Sequence, residues 1–194
     1  MLKPKKIIAG IDEVGKGALF GPVFAGAVVL NNSEENLLKQ AGLKDSKKLT
    51  RKKISQLSSL IKNISNSWGL GQASANEIDI FGIRESTERA MIRAIEKLPN
   101  KPESLLVDGN LSLRLWEGEQ KTLVKGEDQS LSIAAASVIA KEARDQLIKR
   151  LAKKFPEYGL EKNVGYGTKI HCQSIKINGP SKLHRISFLR KIIY

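Results

Sequence analysis

Acidic residues follow three short apolar stretches of this sequence. Asp12 and Glu13 follow KIIAGI, Asp108 follows SLLV, and Glu127 with Asp128 come just after TLV. A carboxylate at the edge of an apolar core is unfavourable unless it is paired or binds a cation. If these acids converge, they form an all-oxygen site, which suits Mg²⁺ or Mn²⁺ rather than zinc.

Such a metal site in a basic protein indicates an enzyme that hydrolyses phosphodiester bonds. The chain has 194 residues, with 33 Lys+Arg against 20 Asp+Glu and a formal net charge of +13. This charge makes polyanions natural partners, and two metal ions about 3.5–4 Å apart can activate water and stabilise a leaving oxygen. For any single acid, however, an ordinary turn is the alternative, because Asp-Gly and Asp-Gly-Asn are common turn sequences.

The elements that must position these acids alternate between strands and helices. Apolar runs predict strands over residues 6–11, 22–30, 68–73, 104–107 and 121–124, and helical spacing predicts helices over 50–63, 83–98 and 129–155. The glycine-rich residues 14–22 predict a hairpin between the first two strands, and Ser74 with Glu77 has the spacing of a helix capping box. The small-residue run SIAAASVIA allows close packing of the last helix on the sheet. We therefore expect an α/β fold with a mixed sheet, in one domain over residues 1–194.

Several classes of protein are excluded by composition and spacing. No apolar run approaches the roughly 18 residues that span a bilayer, so we expect a cytosolic monomer without membrane association. Cys172 is the only cysteine, which excludes an internal disulfide and a cysteine-cluster zinc site. GIDEVGK matches the phosphate-binding P-loop, but Gly17 stands where Ser or Thr is needed and the next segment is predicted to be a strand.

Longer motifs resemble the bacterial ribonuclease HII family, in the family's order and from about Ile7 to Phe188. They are GIDEVGKGALFGPVFAGAVVL, GLKDSKKLT, ASANEID, LLVDGN, KGEDQSLSIAAASVIAKEARD, GYGTKIH and HRISF. The resemblance implies a ribonuclease H-like fold, a mixed sheet flanked by helices, with a helical C-terminal portion at about 156–194 that contacts substrate. It also implies cleavage of the RNA strand of RNA/DNA hybrids and cleavage 5′ of single ribonucleotides embedded in duplex DNA, leaving 3′-hydroxyl and 5′-phosphate ends.

The resemblance also implies roles for particular residues. The metal ligands would be Asp12, Glu13, Asp108 and Glu127, holding Mg²⁺ or Mn²⁺. The main chain of Gly15-Lys16-Gly17 would read the 2′-hydroxyl of the ribonucleotide, Tyr166 would stack under the neighbouring deoxyribose, and Ser46 and Lys47 would contact phosphates.

Two departures from the family pattern leave alternatives open. The fourth acid is usually Asp, so either Glu127 or Asp128 could serve, and Lys16 replaces the family's Arg, which keeps the charge but loses the planar fork. Both features resemble the sister family ribonuclease HIII, whereas Tyr166 favours HII.

Basic residues are concentrated in two segments. Residues 44–53 contain six Lys or Arg and one acid, and after Glu161 there are seven Lys or Arg and no acid. Such patches bind backbone phosphates, so a nucleic-acid-binding protein without catalysis is the rival hypothesis, although it leaves the strand-end acids unexplained. For His171 and His184 we expect a packing role, with His184-Arg185 holding the C-terminal tail.

Overall fold

A mixed β-sheet forms the centre of the molecule. The computed structural model describes residues 6–43, 49–65 and 67–193. The strands are β1 (Ile8–Val14), β2 (Val23–Val29), β3 (Trp68–Ala73), β4 (Ser104–Asp108) and β5 (Glu119–Leu123), in the spatial order β3-β2-β1-β4-β5. β2 pairs antiparallel with β1 and β3, while β4 pairs parallel with β1 and β5. The predicted α/β class, the mixed sheet and the hairpin are confirmed.

Helices cover both faces of this sheet. They are α1 (Asn32–Gln40), α2 (Arg51–Ile64), α3 (Ala75–Ile95), α4 (Leu131–Ala152), α5 (Leu160–Asn163), α6 (Lys169–Asn178) and α7 (Arg190–Ile193). One core lies between α3 and the sheet, and a second joins α4 to α1, α2 and the other face. A third core joins the second half of α4 to the C-terminal elements and to Leu19 and Phe20. The loop before β2 is thereby tied to the C-terminal portion.

The first half of α4 lies directly on β1 and β2. A Cβ atom on Gly26 would lie 2.3 Å from the carbonyl oxygen of Ala136, and one on Gly10 would lie 2.2 Å from the carbonyl carbon of Ser132. Larger residues at these strand positions would push the helix away from the sheet. The close packing expected for the small-residue run is confirmed.

Some predicted boundaries were wrong. The helix expected over residues 83–98 forms the second part of α3, because Gly82, with φ 77° and ψ 162°, interrupts the helical backbone, and it ends at Ile95 rather than Leu98. The first part of α3, which begins at Ala75 after the capping box of Ser74 and Glu77, was not predicted as a helix. The helix expected from Gln129 begins at Leu131, capped by Ser130, because residues 126–128 form a 3₁₀ turn. Helix α1 was not predicted, although Asn31 forms a capping box at its start.

The P-loop match in GIDEVGK has the wrong structural context. After Gly17 the chain turns and enters β2 rather than a helix, so no helix N-terminus follows to hold a phosphate. In the three described segments of the chain, no helix has the length and apolar character needed to cross a membrane.

Candidate active site

Strands β1 and β4 place Asp12 and Asp108 at neighbouring positions. Ile11 pairs with Val107 in the parallel register, and Asp12 and Asp108 are the next residues of the two strands. The sequence placed Asp12 and Glu13 after the first strand, and this was wrong: both lie inside β1, because its pairing with β2 continues as far as Val14. Their backbone is therefore fixed by the sheet rather than by a turn.

Asp12 is buried in an environment that disfavours its charge. Its side chain is 7% exposed, and its Oδ1 accepts a hydrogen bond of 2.7 Å from the Glu13 N–H. Burial, together with the charges of Glu13 and Asp108, raises the pKa of Asp12 well above its ordinary value, while a hydrogen bond with Ser137 opposes the rise. A cation beside Asp12 would reverse this balance, because it favours the ionised form.

Glu13 reaches the site from the other face of the sheet, since successive strand side chains alternate between faces. It lines a small cavity of about 80 Å³ together with Arg84 and Asn110, and Asp108 lines the same cavity. Lys16 Nζ lies 3.3 Å from Glu13 Oε1. The acids thus approach the end of β1 from both faces.

Asp108 and Glu127 form the second half of the acidic cluster. Asp108 Oδ1 accepts a hydrogen bond of 2.7 Å from the Gly126 N–H. Burial raises the pKa of Asp108, the bond from Gly126 opposes the rise, and the neighbouring Glu127 and Glu13 add to it. Glu127 is only 7% exposed, whereas Asp128, the next residue of the 3₁₀ turn, is exposed. Of the two candidates for the fourth position, Glu127 is the one that lies against Asp108.

These acids suit a divalent cation in chemical type. Burial, with the repulsion of neighbouring acids added to it, raises the pKa values of Asp12 and Asp108. Carboxylate oxygens are the ligands that Mg²⁺ and Mn²⁺ prefer. Within the described residues, no three His, Cys, Asp or Glu side chains already stand close enough together to hold an ion as they are. The cluster therefore matches such an ion in the type and charge of its oxygen donors, but not in their present spacing.

The Gly15-Lys16-Gly17 loop lies directly after β1. Gly15 has φ 86°, and a Cβ atom there would lie 2.1 Å from Arg144 Nε, so this position requires glycine. Above Gly17 the space is open among the described residues, because none of their atoms lies within 4 Å of the position that a Cβ would take. Arg185 Nη1 donates a hydrogen bond of 2.9 Å to the Lys16 carbonyl and holds the loop from beneath. In the part of the chain that the structure describes, nothing covers this loop at Gly17.

Tyr166 lies beside this loop with its ring partly exposed. The side chain is 38% exposed, and the Arg144 guanidinium carbon is 5.5 Å from the ring centroid. Its carbonyl oxygen is 2.9 Å from His171 Nδ1. Tyr166 thus combines an accessible ring with a backbone that is held from the buried side.

The two histidines lie in the C-terminal core. His171 and His184 are fully or almost fully buried, and their Nε2 atoms are 3.1 Å apart. His184 also stacks edge-on against Phe20 and Tyr158, with ring centroids 5.0 and 4.6 Å apart. The packing role expected for the pair agrees with this arrangement. Cys172 is half-buried in the neighbouring helix α6.

The sequence reasoning missed the buried charges of the site. Arg144 is fully buried, and the only signal for this was its position four residues from the buried Ala140 and Ile148 on α4. Glu88 on α3 is 4% exposed and accepts hydrogen bonds from Arg84 and Arg114. Ser46 and Lys47, predicted to contact phosphates, lie outside the described residues.

Comparison with known proteins identifies the family. The pattern of the family named Ribonuclease HII matches residues 9–191. A Ribonuclease HII from a strain of Prochlorococcus marinus is 64% identical over 184 residues, which cover 95% of this chain and 96% of that protein.

Solved structures share the fold. The crystal structure of ribonuclease H2 from Pyrococcus horikoshii OT3 has a TM-score of 0.80 at 26% identity and covers 96% of each chain. The ribonuclease HII of Archaeoglobus fulgidus, solved in complex with PCNA, has a TM-score of 0.78 at 27% identity, covering 93% of this chain and 94% of that one. With this fold, this acidic cluster and this sequence match, the chain belongs to the ribonuclease HII family of metal-dependent endoribonucleases.

Proposed function

We propose that this enzyme hydrolyses the RNA strand of RNA/DNA hybrids and cuts 5′ of single ribonucleotides embedded in duplex DNA. The products would carry 3′-hydroxyl and 5′-phosphate ends. Asp12, Glu13, Asp108 and Glu127 would together hold two divalent ions, Mg²⁺ or Mn²⁺. When bound, these ions would supply the positive charge that favours water ionisation and stabilises the departing oxygen.

The observation that carries this proposal is the packing of like charges at the ends of two parallel strands. Asp12 and Asp108 both have raised pKa values, each in part because of neighbouring acids. A fold that needed only polyanion binding would gain nothing from such a cluster, since it repels phosphates. The cluster is explained if a cation normally neutralises it.

The protein groups around the cluster would orient the substrate. The main chain of Gly15, Lys16 and Gly17 would read the 2′-hydroxyl, and the open space above Gly17 supports a close approach of the sugar. Tyr166 would stack under the neighbouring deoxyribose with its exposed ring. Basic side chains near the site, with Ser46 and Lys47 among the proposed contacts, would position the phosphates without reading their sequence.

A cleavage assay on a duplex with one embedded ribonucleotide tests the proposal. We expect cutting 5′ of the ribonucleotide with Mg²⁺ or Mn²⁺, and none when a chelator removes the metal. An all-DNA duplex of the same sequence is the control and should stay intact. Binding of the duplex without cutting under every metal condition would contradict the proposal and favour the non-catalytic rival.

The preference between substrates separates HII-type from HIII-type specificity. If Tyr166 reads the junction, Tyr166→Ala should lower cleavage at a single ribonucleotide more than cleavage of a uniform RNA/DNA hybrid. An unchanged ratio of the two rates would remove Tyr166 from junction reading and favour the HIII-type alternative. Lys16 and Glu127 are the residues that motivate this alternative.

Other expectations from the sequence belong to the same proposal. They are a single domain over residues 1–194, a substrate-contacting portion at about 156–194, a monomeric state and a cytosolic location. The tie between the C-terminal core and Leu19 and Phe20 supports the first two, because it brings the C-terminal portion to the loop that follows β1.

A further inference from the structure

Arg144 makes hydrogen bonds to three main-chain carbonyl groups from inside the fold. Its Nε donates to Pro22 at 3.2 Å, its Nη2 to Phe20 at 3.2 Å and its Nη1 to Val164 at 2.9 Å. The side chain is fully buried, and burial lowers the pKa of its guanidinium. Burial of this charge is unfavourable, and the three hydrogen bonds compensate for it.

These carbonyl groups belong to two separate loops. We call residues 15–22 the glycine loop and residues 164–168 the tyrosine loop. The loops also contact each other directly, because the N–H groups of Leu19 and Phe20 donate to the Gly165 carbonyl at 2.8 and 3.2 Å. Arg144 lies beneath this junction and bonds to both sides of it.

The same guanidinium also touches the two groups that would read the substrate. A Cβ atom on Gly15 would lie 2.1 Å from Arg144 Nε, so the glycine loop rests directly on this side chain. The guanidinium carbon of Arg144 lies 5.5 Å from the centroid of the Tyr166 ring, within the range of a cation–π contact. The planar guanidinium group of Arg144 thus packs against both the glycine loop, at Gly15, and the ring of Tyr166.

We propose that Arg144 is a positioning residue that fixes the glycine loop and Tyr166 relative to each other and thereby sets the preference for a single embedded ribonucleotide. This inference rests on the proposed function, in which the glycine loop reads the 2′-hydroxyl and Tyr166 reads the next sugar. Two contacts on neighbouring nucleotides discriminate only if their spacing is held. Arg is suited to this because its donors are fixed in one plane, whereas Lys carries a single flexible charge.

The substitution Arg144→Lys tests the proposal, because it keeps the charge and removes the fork. The ratio of kcat/KM for a single-ribonucleotide duplex to that for a uniform hybrid should fall by about tenfold or more, since small misplacements of positioning groups have effects of this size. Amide hydrogen exchange should accelerate together at Leu19, Phe20 and Tyr166. The matched control is Ile139→Val, or Ile139→Ala if a larger loss of stability must be matched, since Ile139 is buried in α4 but belongs to the other core.

A double variant shows whether Arg144 acts through Tyr166. If it does, Arg144→Lys combined with Tyr166→Ala should have the same substrate ratio as Tyr166→Ala alone, because the two effects are then not additive. The control should lower the melting temperature and leave both the ratio and the loop exchange unchanged.

Two results would overturn the proposal: an unchanged ratio in folded Arg144→Lys, or exchange that rises in only one loop. The exchange measurement needs no substrate. Suppose that Arg144→Lys accelerates exchange in both loops, but the wild type shows no metal-dependent cleavage. The proposed function is then refuted, while the structural link between the two loops still stands.

Discussion

His184 Nε2 and His171 Nε2 lie 3.1 Å apart, and their hydrogen bonds require both rings to be neutral. The Ser181 N–H donates to His184 Nδ1 at 2.9 Å, which assigns the His184 proton to Nε2. His184 can then donate to His171, and the remaining proton of His171 on Nδ1 donates to the Tyr166 carbonyl. The chain of bonds ends on the backbone of the residue proposed to read the substrate.

This pair predicts acid-sensitive stability. Burial lowers the pKa of His171, and burial together with His171 lowers the pKa of His184 to about 4. Unfolded histidine titrates near 6.5, so the unfolded state binds more protons between about pH 6.5 and pH 4. The free energy of unfolding should be fully retained above pH 6.5 and fall by on the order of 2 kcal/mol towards pH 5.

Urea denaturation at pH 7.5 and pH 5, compared with His184→Gln, checks this prediction. The comparison is needed because the raised pKa of Asp12 acts in the opposite direction and stabilises the fold as the pH falls. The variant removes one titrating ring, so its stability should depend less steeply on pH in this window. An equal dependence in both proteins would contradict the assignment of a neutral pair.

Asp108→Asn should remove nearly all cleavage without unfolding the protein. The amide oxygen can still accept the hydrogen bond from Gly126, while the repulsion from Glu127 and Glu13 disappears. In metal-free buffer we therefore expect a melting temperature equal to or above that of the wild type, with duplex binding retained. Turnover like that of the wild type in this variant would remove Asp108 from the catalytic cluster.

The fourth acidic position can be settled by a pair of substitutions. Glu127 is buried against Asp108 and Asp128 is exposed, so Glu127→Gln should lower cleavage strongly and weaken the response to metal concentration. Asp128→Asn is the matched control, one residue away in the same 3₁₀ turn, and should change cleavage little. Metal titrations of cleavage for both variants give the answer, and the reverse pattern would assign the position to Asp128.

Gly15→Ala and Gly17→Ala should differ in their effects, the first on stability and the second on activity. Gly15→Ala clashes with Arg144 and is strained at φ 86°, so it should lower the free energy of unfolding by about 1–3 kcal/mol. The added methyl group of Gly17→Ala meets no atom of the described segments within 4 Å, so stability should stay close to wild type while cleavage at a single ribonucleotide falls. Denaturation curves and cleavage rates for both variants test this, and full activity of Gly17→Ala would show that no sugar approaches there.

Much of the fold could be predicted because its signals are local. Apolar runs located the strands, the spacing of Ile54, Leu57 and Ile61 located α2, and small residues indicated that α4 packs closely on the sheet. The first part of α3 was missed although the Ser74 and Glu77 capping box marks its start, because Gly82, with φ 77°, interrupts the helical backbone shortly after it begins. Helix α1 was missed although Asn31 and Glu34 form a capping box at its start.

The candidate site, like the fold, could be predicted only in part from the sequence. The sequence by itself determined which acids were candidates and, through the long motifs, which family the chain resembles. Only the tertiary structure decided that Asp12 and Glu13 lie inside β1 and approach from opposite faces, because strand pairing beyond Ile11 is a contact between distant segments. It also showed that Glu127, and not Asp128, is buried beside Asp108, and it revealed Arg144 bonded to Phe20, 124 positions away. Burial and repulsion depend on which groups the fold brings together. The order of residue types along the chain does not specify the distances between those groups.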